Sequence, residues 1–258
     1  MAPPSGFAWP RKTKGAVSFT FDDARPSQLD RGIPVFDASG FKATFYVSPG
    51  PLVTAAERWR AAAAGGHELG NHTFSHPCSG NFDWSRENAL EDYTHPRIEQ
   101  DIRHADQVIE KSAGVQTRTF AYPCGQSSIG RGVLLESYIP LIAKRYVAGR
   151  GYLSEHLNDA ARCDLAHLAS TRSDRCSLLE LEGWISRALT EGSWLIFTGH
   201  DVNEDNGYHT TRERTLSQLL QDLAERREEV WVAPVAEVAA WIKEHREALP
   251  GETAPEKR

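Results

Sequence analysis

Two aspartates and two histidines have the residue types and the spacing of a metal-dependent hydrolytic site. Asp22 and Asp23 are adjacent in TFDD, and His72 and His76 are four residues apart in NHTFSH. If the NHTFSH segment turns helically, both imidazoles emerge on one face at the spacing of a metal-ligand pair. One carboxylate then completes a set of two histidines and one carboxylate, which leaves coordination positions for water and substrate.

The neighbouring aspartates can divide the work of binding a cation and accepting a proton. A divalent ion lowers the pKa of its bound water towards about 7, so an ordinary carboxylate is a sufficient base. His200, at the end of WLIFTGH, adds an imidazole whose ordinary pKa of about 6.5 suits protonation of a leaving amine or alcohol. The plain alternatives are a solvated Asp–Asp turn and histidines that only form hydrogen bonds.

The elements that must position these residues alternate between short apolar runs and longer amphipathic stretches. Strands are predicted over residues 15–21, 41–47, 67–72, 118–123, 145–151, 166–171, 194–200 and 230–234. Helices are predicted over residues 27–38, 54–66, 91–113, 130–143, 178–189, 211–227 and 235–242. Near-continuous apolar strands that alternate with helices indicate a parallel sheet covered by helices. We therefore expect an α/β fold, a distorted (β/α) barrel of seven or eight strands, with a doubly wound sheet as second choice.

Each group of candidate residues comes directly after a predicted strand. The TFDD aspartates follow the first strand and the NHTFSH histidines follow the third. The YPCG segment (122–125) comes after RTFA in the fourth strand, and His200 and Asp201 come after LIFTG in the strand predicted over residues 194–200. Because the carboxyl ends of barrel strands form one face, we expect the four groups to meet in one site.

Length, composition and net charge exclude several classes of protein. With 258 residues, 40% of them hydrophobic and 25% charged, the chain is long enough to bury a core without structural metals. The formal charge of −6 argues against a nucleic-acid partner, which would call for a basic face. No apolar run approaches the roughly 18–20 residues of a membrane span. No protein partner is evident.

We expect a single catalytic domain over residues 15–247, with a flexible lead-in at 1–14 and a flexible tail at 248–258. The first residues lack the apolar stretch of a signal peptide. A secreted or periplasmic protein whose signal has been removed is favoured slightly over a cytoplasmic one.

Four cysteines leave the redox state open: Cys78, Cys124, Cys163 and Cys176. No spacing among them matches a C-x-x-C zinc or redox motif. Cys78 and Cys124 each come just after a candidate site motif, so a disulfide between them is our hypothesis. Buried free thiols that behave as small apolar groups are the alternative.

The order and spacing of these motifs resemble the polysaccharide deacetylases, carbohydrate esterase family 4. The resemblance covers roughly residues 15–243 and rests on TFDD (20–23), NHTFSH (71–76), FAYPCG (120–125) and GHD (199–201). It implies a distorted (β/α) barrel that uses a divalent metal ion, with zinc as first choice and cobalt or another transition metal as second.

The resemblance also implies a role for individual residues. Asp23, His72 and His76 correspond to the metal ligands, Asp22 to the catalytic base and His200 to the general acid. The third motif here includes Tyr122, Pro123 and Cys124, and it corresponds to the substrate and oxyanion segment. A backbone N–H near Cys124 is expected to stabilise the negative oxygen of the tetrahedral intermediate.

The chain departs from the family pattern at two motifs. Ala121 stands where the family has an arginine that orients the catalytic aspartate, and Cys124 stands where an aromatic residue is frequent. Arg150 and Arg172, after later predicted strands, are our candidates for the missing cation, and Asp201 is a further candidate for supporting the site. We find no match to the family's fourth motif, an Asp–Trp-type segment.

Aromatic residues in loops near the motifs could stack on sugar faces; they are Trp84, Tyr93 and Tyr208. His209 and Asp205 also border the predicted site, without an assigned role.

The favoured function is hydrolysis of an N- or O-linked acetyl group from an acetylated carbohydrate, with Asp22 as base and His200 as acid. One alternative is a metal-dependent amidohydrolase that acts on cyclic amides or imides on the same scaffold. Another is a carbohydrate-binding protein without catalysis, which the presence of both Asp22 and His200 disfavours. The identity of the sugar and of the native metal stays open.

Overall fold

The computed structural model describes residues 6–205 and 207–247. The strands in these ranges are β1 (Gly15–Asp22), β2 (Thr44–Val47), β3 (Glu68–Asn71), β4 (Thr119–Ala121), β5 (Ser128–Ile129), β6 (Glu136–Ser137), β7 (Ala148–Arg150), β8 (Thr171–Arg172), β9 (Trp194–Gly199), β10 (Asp201–Asn203), β11 (Thr210–Arg212) and β12 (Val230–Val232). The α-helices are α1 (Ile33–Ser39), α2 (Pro49–Thr54), α3 (Ala56–Ala64), α4 (His95–Ala113), α5 (Ile139–Arg145), α6 (Leu178–Glu191), α7 (Glu213–Glu225) and α8 (Val235–His245).

A parallel sheet forms the centre of the fold. Its strand order is β7-β4-β3-β2-β1-β9-β8, and β12 pairs with the beginning of β1. Every pairing within this sheet is parallel. The sheet curls with helices packed on its outside, which confirms the predicted distorted (β/α) barrel.

β1 is the strand on which the sheet is organised, because β2, β9 and β12 all pair with it. All eight of its residues are buried, as its sequence GAVSFTFD suggests. Its apolar side chains alternate with Ser18 and Thr20. The two hydroxyls donate hydrogen bonds to the carbonyl oxygens of Ala233 (2.7 Å) and Phe197 (2.7 Å), so these buried polar groups are paired.

Each of the eight predicted strands overlaps an observed one, but β1 is one residue longer than predicted and β8 shares only Thr171 with the range 166–171. The other six are shorter than predicted. The helix predicted over residues 130–143 is wrong. Gly130 and Gly132 have positive φ angles of 77° and 57°, and the chain forms the short β5–β6 hairpin there. The apolar residues that suggested a helix, Val133 and Leu134, are exposed at the hairpin. The helix α5 begins only at Ile139.

Within the lead-in predicted over residues 1–14, Trp9 is packed into the fold. The Trp9 side chain is buried in an apolar cluster with Trp194 and Val238, and its Nε1 donates to the Gly192 carbonyl oxygen at 3.0 Å. The folded part of the chain therefore begins before residue 15. Residues 1–5 and the predicted tail at 248–258 lie outside the described residues.

None of the helices in the described ranges combines the length and the apolar character that crossing a bilayer requires.

The hypothesis of a bond between Cys78 and Cys124 is confirmed. Their Cα atoms are 6.3 Å apart and their sulfur atoms form a disulfide, whereas Cys163 and Cys176 are free. The bond joins the loop after β3 to the loop after β4, so it links two segments that carry candidate site residues.

We expect this disulfide to stabilise the fold by restricting the unfolded chain. It spans a sequence separation of 46 residues. A loop of that size corresponds to about 2–4 kcal/mol of unfolding free energy. Urea unfolding with and without reductant measures the difference, and Cys163→Ser, which removes a free thiol, should show the same sensitivity to reductant as the unaltered chain. An unfolding midpoint that does not respond to reductant contradicts the bond.

Candidate active site

The candidate residues that follow separate strands line one cavity of about 350 Å³ at the carboxyl end of the sheet. Its walls are formed by Asp22, Asp23, Arg25, His72, His76, Trp84, Cys124, Tyr152, His200 and His209. The cavity thus collects the ends of β1, β3, β4, β7 and β9, as expected for a barrel whose strand ends form one face.

Three candidate metal ligands converge in this cavity. The Oδ1 atom of Asp23 lies 3.7 Å from Nε2 of His72 and 3.7 Å from Nε2 of His76. One ligand atom from each residue lies within 4.8 Å of the others. The two imidazoles meet without the helical turn that the spacing suggested, because His76 has a positive φ of 48° in a loop.

These residues fit a divalent transition ion. His72 Nδ1 donates to the Ala121 carbonyl oxygen at 3.0 Å, which leaves the Nε2 lone pair directed towards Asp23. Asp23 Oδ2 accepts from Arg25, so Oδ1 is the oxygen that faces the histidines. Two ligands at about 2.1 Å from a tetrahedral ion are about 3.4 Å apart, close to the separations seen here.

The charge states of these groups also suit a cation. Burial alone would raise the pKa of Asp23, but the neighbouring His72 and His76 outweigh it and lower that pKa to about 2. Burial and the proximity of His72 lower the pKa of His76 to about 4. At neutral pH Asp23 is therefore a carboxylate and His76 is a neutral imidazole with a free lone pair.

The second aspartate of the pair is bound by an arginine from another strand. Arg150 is fully buried, and its Nη2 donates to Oδ1 of Asp22. Its Nη1 donates to the Gly151 carbonyl oxygen at 2.8 Å, and the guanidinium lies 4.9 Å from the centre of the Tyr46 ring. Arg150 pairs with Ala121 across β4 and β7, so the cation comes from the strand beside the position where the family has its arginine.

The other arginine candidate does not reach the site. Arg172 is exposed and lines a different cavity, with Cys176 and Trp184. The suggestion that it orients Asp22 is therefore wrong, because Arg150 occupies that place.

His200 is paired with a carboxylate that the sequence analysis missed. Its Nδ1 is 2.6 Å from Oδ2 of Asp174, whose Oδ1 accepts from Thr211 Oγ1 at 3.0 Å. Burial alone would lower the pKa of His200, but the hydrogen bond to Asp174 and the charge of Asp22 raise it above its ordinary value. The only sequence signal for Asp174 was its place shortly after a weak predicted strand.

Asp201 supports the site through a second arginine that was also missed. It accepts from Arg25 Nη1 at 2.6 Å and from Ser27 Oγ at 2.7 Å. Arg25 binds Asp23 with its Nε and Nη2 at 3.2 and 2.9 Å. Asp201 therefore fixes Arg25, which in turn fixes the orientation of Asp23.

Of the three expected residues of the third motif, one lines the cavity and two do not. Tyr122 is buried in an apolar cluster, and its hydroxyl donates to the Ala166 carbonyl oxygen at 2.7 Å. Its predicted contact with substrate is wrong, since its hydroxyl is directed into the core. Pro123 is buried as well, whereas Cys124 lines the cavity with a positive φ of 53°.

Of the three aromatic residues predicted to stack on sugars, one lines the cavity and two do not. Trp84 lines the cavity, but Tyr93 is buried, with its hydroxyl bonded to Asn88 and Ser75. Tyr208 is exposed beside His209.

His209 lines the cavity next to His200, with ring centres 4.6 Å apart. Asp205 is exposed and accepts from Gly207 N within its own loop.

Comparison with known proteins shows what this chain is similar to. The family model for polysaccharide deacetylases matches residues 10–131. A gellan lyase from a Bacillus species is 29% identical over 143 residues, which is 55% of this chain and 5% of that enzyme. The matches span only 5% and 32% of the lengths of the curated relatives.

Two solved structures share the fold. A candidate polysaccharide deacetylase from Mycobacterium smegmatis is 15% identical, with a TM-score of 0.70 and 100% of both chains covered. A family 4 acetyl xylan esterase from Clostridium thermocellum, solved with a cobalt ion, is 18% identical, with a TM-score of 0.57. The match covers 88% of this chain and 91% of the esterase chain. Residues 10–131 are thus similar to polysaccharide deacetylases, and the solved structures share the barrel fold of the whole chain.

Proposed function

We propose that this protein is a metal-dependent hydrolase that removes N- or O-linked acetyl groups from a carbohydrate. The observation that carries the proposal is the convergence of Asp23, His72 and His76 beside Asp22 and His200 in one cavity. Zinc is the first choice for the ion because two imidazoles and one carboxylate suit it. The cobalt ion in the Clostridium thermocellum esterase supports a transition metal as the alternative.

The ion, when bound by these three residues, supplies Lewis acidity that lowers the pKa of a water molecule and polarises an acetyl carbonyl group. Arg150 binds Oδ1 of Asp22, which leaves Oδ2 as the atom that takes the proton from the attacking water. The buried guanidinium holds this carboxylate in one orientation.

His200 acts at the other end of the reaction. Its Nδ1 is engaged with Asp174, so Nε2 is the atom that gives a proton to the departing amine or hydroxyl. The Asp174 carboxylate fixes the imidazole and stabilises its protonated form. Cys124 lines the cavity, and we infer that its backbone N–H donates to the oxygen that becomes negatively charged.

The first test of the function is removal of the metal ligands. Asp23→Ala and His72→Ala should each abolish metal binding and acetate release, because each removes one of three ligand atoms. Elemental analysis of the purified protein and acetate release from acetylated sugars, simple acetyl esters and cyclic amides measure the two effects. His95→Ala, at a half-buried histidine outside the cavity, should retain both.

A ligand variant that keeps full activity would refute the metal site. Hydrolysis confined to cyclic amides would instead move the function to ring opening on the same scaffold.

The second test asks which arginine, Arg150 or Arg172, orients Asp22. Arg150→Met leaves Asp22 buried without its cation, so we expect kcat to fall about 10²-fold through misorientation of the base. The free energy of unfolding should fall by about 3–5 kcal/mol, while the metal is retained. Arg172→Met is the matched control and should behave like the unaltered chain. Equal losses in both variants would show that Arg150 has no special role.

The third test concerns the proton donor. Removing the Asp174 carboxylate removes a group that raises the pKa of His200, so that pKa falls in Asp174→Asn. The reaction needs protonated His200, and its activity is lost as pH rises through that pKa. The alkaline limb of the pH profile of kcat/KM should therefore move to lower pH, and kcat should drop by about 10²–10⁴-fold. Asp205→Asn is the control, and an unmoved alkaline limb in Asp174→Asn contradicts the assignment.

A further inference from the structure

A second pair of imidazoles lines the same cavity as the candidate metal ligands His72 and His76. The rings of His200 and His209 have centres 4.6 Å apart, and those of His72 and His76 have centres 4.8 Å apart. All four rings line the cavity of about 350 Å³. Imidazole is a ligand for zinc, copper and nickel alike. The second pair is therefore as close as the pair that we assign to the first ion.

His200 has the hydrogen bond that orients a metal-binding histidine. Its Nδ1 donates to Oδ2 of Asp174 at 2.6 Å, so Nε2 is the nitrogen left for an ion. His72 is oriented in the same way, because its Nδ1 donates to the Ala121 carbonyl oxygen at 3.0 Å. A carboxylate bonded to the outer ring nitrogen fixes the imidazole and makes it a stronger ligand. His200 thus carries the support that a ligand needs.

Asp174 is the support of this site, although one of its oxygens lies within 4.8 Å of a ring nitrogen of each histidine. Two ligands of a tetrahedral ion are about 3.4 Å apart, whereas only 2.6 Å separates Asp174 Oδ2 from His200 Nδ1. The other carboxylate oxygen accepts from Thr211 Oγ1 at 3.0 Å and from the His200 N–H at 3.2 Å. With both oxygens engaged, Asp174 holds His200 and leaves the ion to the imidazoles.

His209 is the less constrained member of the pair. It is half-buried at the cavity wall, and none of the described residues forms a hydrogen bond with its ring nitrogens. Its main chain is fixed, because its carbonyl oxygen accepts from the Asp201 N–H at 2.9 Å. Rotation of this ring alone is therefore sufficient to turn either nitrogen towards an ion beside His200.

The second pair should bind an ion less tightly than the first. Asp23 adds a carboxylate to His72 and His76, whereas water completes the coordination at His200 and His209. An ion at Nε2 of His200 also displaces the proton there, which is released to the solvent. The first site should therefore fill at a lower concentration of metal.

We propose that His200 and His209 form a second site for a divalent transition ion, and that an ion bound there inhibits the hydrolysis. The ion occupies Nε2 of His200, the atom that otherwise carries the proton for the leaving group. The inhibition rests on the proposed function, since it takes His200 as the proton donor, whereas the binding of the second ion does not. Excess zinc thus stops a reaction that the first zinc ion supports.

The first experiment measures the zinc bound by the full chain after dialysis against buffers of rising free zinc. We expect one ion to bind at low free zinc and a second at higher free zinc. His209→Phe keeps a flat ring but removes a ligand nitrogen, so the second ion should bind at least about tenfold more weakly. Retention of the first ion shows that this variant is folded. His156→Phe, at an exposed histidine outside the cavity, should bind both ions like the unaltered chain.

The second experiment measures acetate release over the same range of free zinc. The rate should rise as the first ion binds and fall as the second does. The free zinc that halves the maximal rate should be at least about tenfold higher in His209→Phe and unchanged in His156→Phe.

Different outcomes contradict the second site, the inhibition and the proposed function. Absence of a second ion, or a second ion that binds His209→Phe as tightly as the unaltered chain, overturns the site. A maximal rate that persists while the second ion is bound overturns the inhibition. If the unaltered chain releases no acetate at any zinc concentration, the proposed function fails, and the dialysis still decides whether the second site exists.

Discussion

The buried pair of Arg150 and Asp22 is the interaction on which the site and the shape of the sheet both depend. Arg150 ends β7 and Asp22 ends β1, and three strands lie between β7 and β1 in the sheet order. Their side chains can touch only because the sheet curls, so the contact crosses the interior of the barrel. Removing two charges from water costs several kcal/mol for each ion, and their attraction offsets this only when the geometry is held. A flatter sheet would leave both charges buried and apart.

The candidate metal centre depends on backbone conformations that few side chains adopt. Asp23, His76 and Cys124 have φ angles of 78°, 48° and 53°, and all three line the cavity. Such conformations persist only where the surroundings impose them. Arg25 and Asp201 restrain the first loop, and the Cys78–Cys124 bond joins the other two. As a result, the two adjacent aspartates have different partners. Asp23 faces the histidines, and Asp22 faces Arg150.

The pattern of apolar runs was sufficient to predict every strand of the main sheet, because strands buried on both faces leave near-continuous apolar segments. It failed over residues 130–143, where glycines with positive φ override an apolar spacing that resembles a helix. Asp23, His72 and His76 could be selected from local motifs. Contacts between distant segments could not: Arg150 and Arg172 both follow strands, and only the register of β7 beside β4 distinguishes them. Asp174 was missed for the same reason, since its partner His200 is 26 residues away along the chain.

The most direct measurement of the central claim is the position of the metal in a crystal grown with zinc, with diffraction recorded at the zinc absorption edge. We predict an anomalous peak about 2.0–2.2 Å from Asp23 Oδ1 and from Nε2 of both His72 and His76. The group of Asp174, His200 and His209 also brings three ligand atoms within 4.8 Å of one another. A peak at that group with none beside Asp23 would contradict the account, because His200 would then be a ligand and not the proton donor.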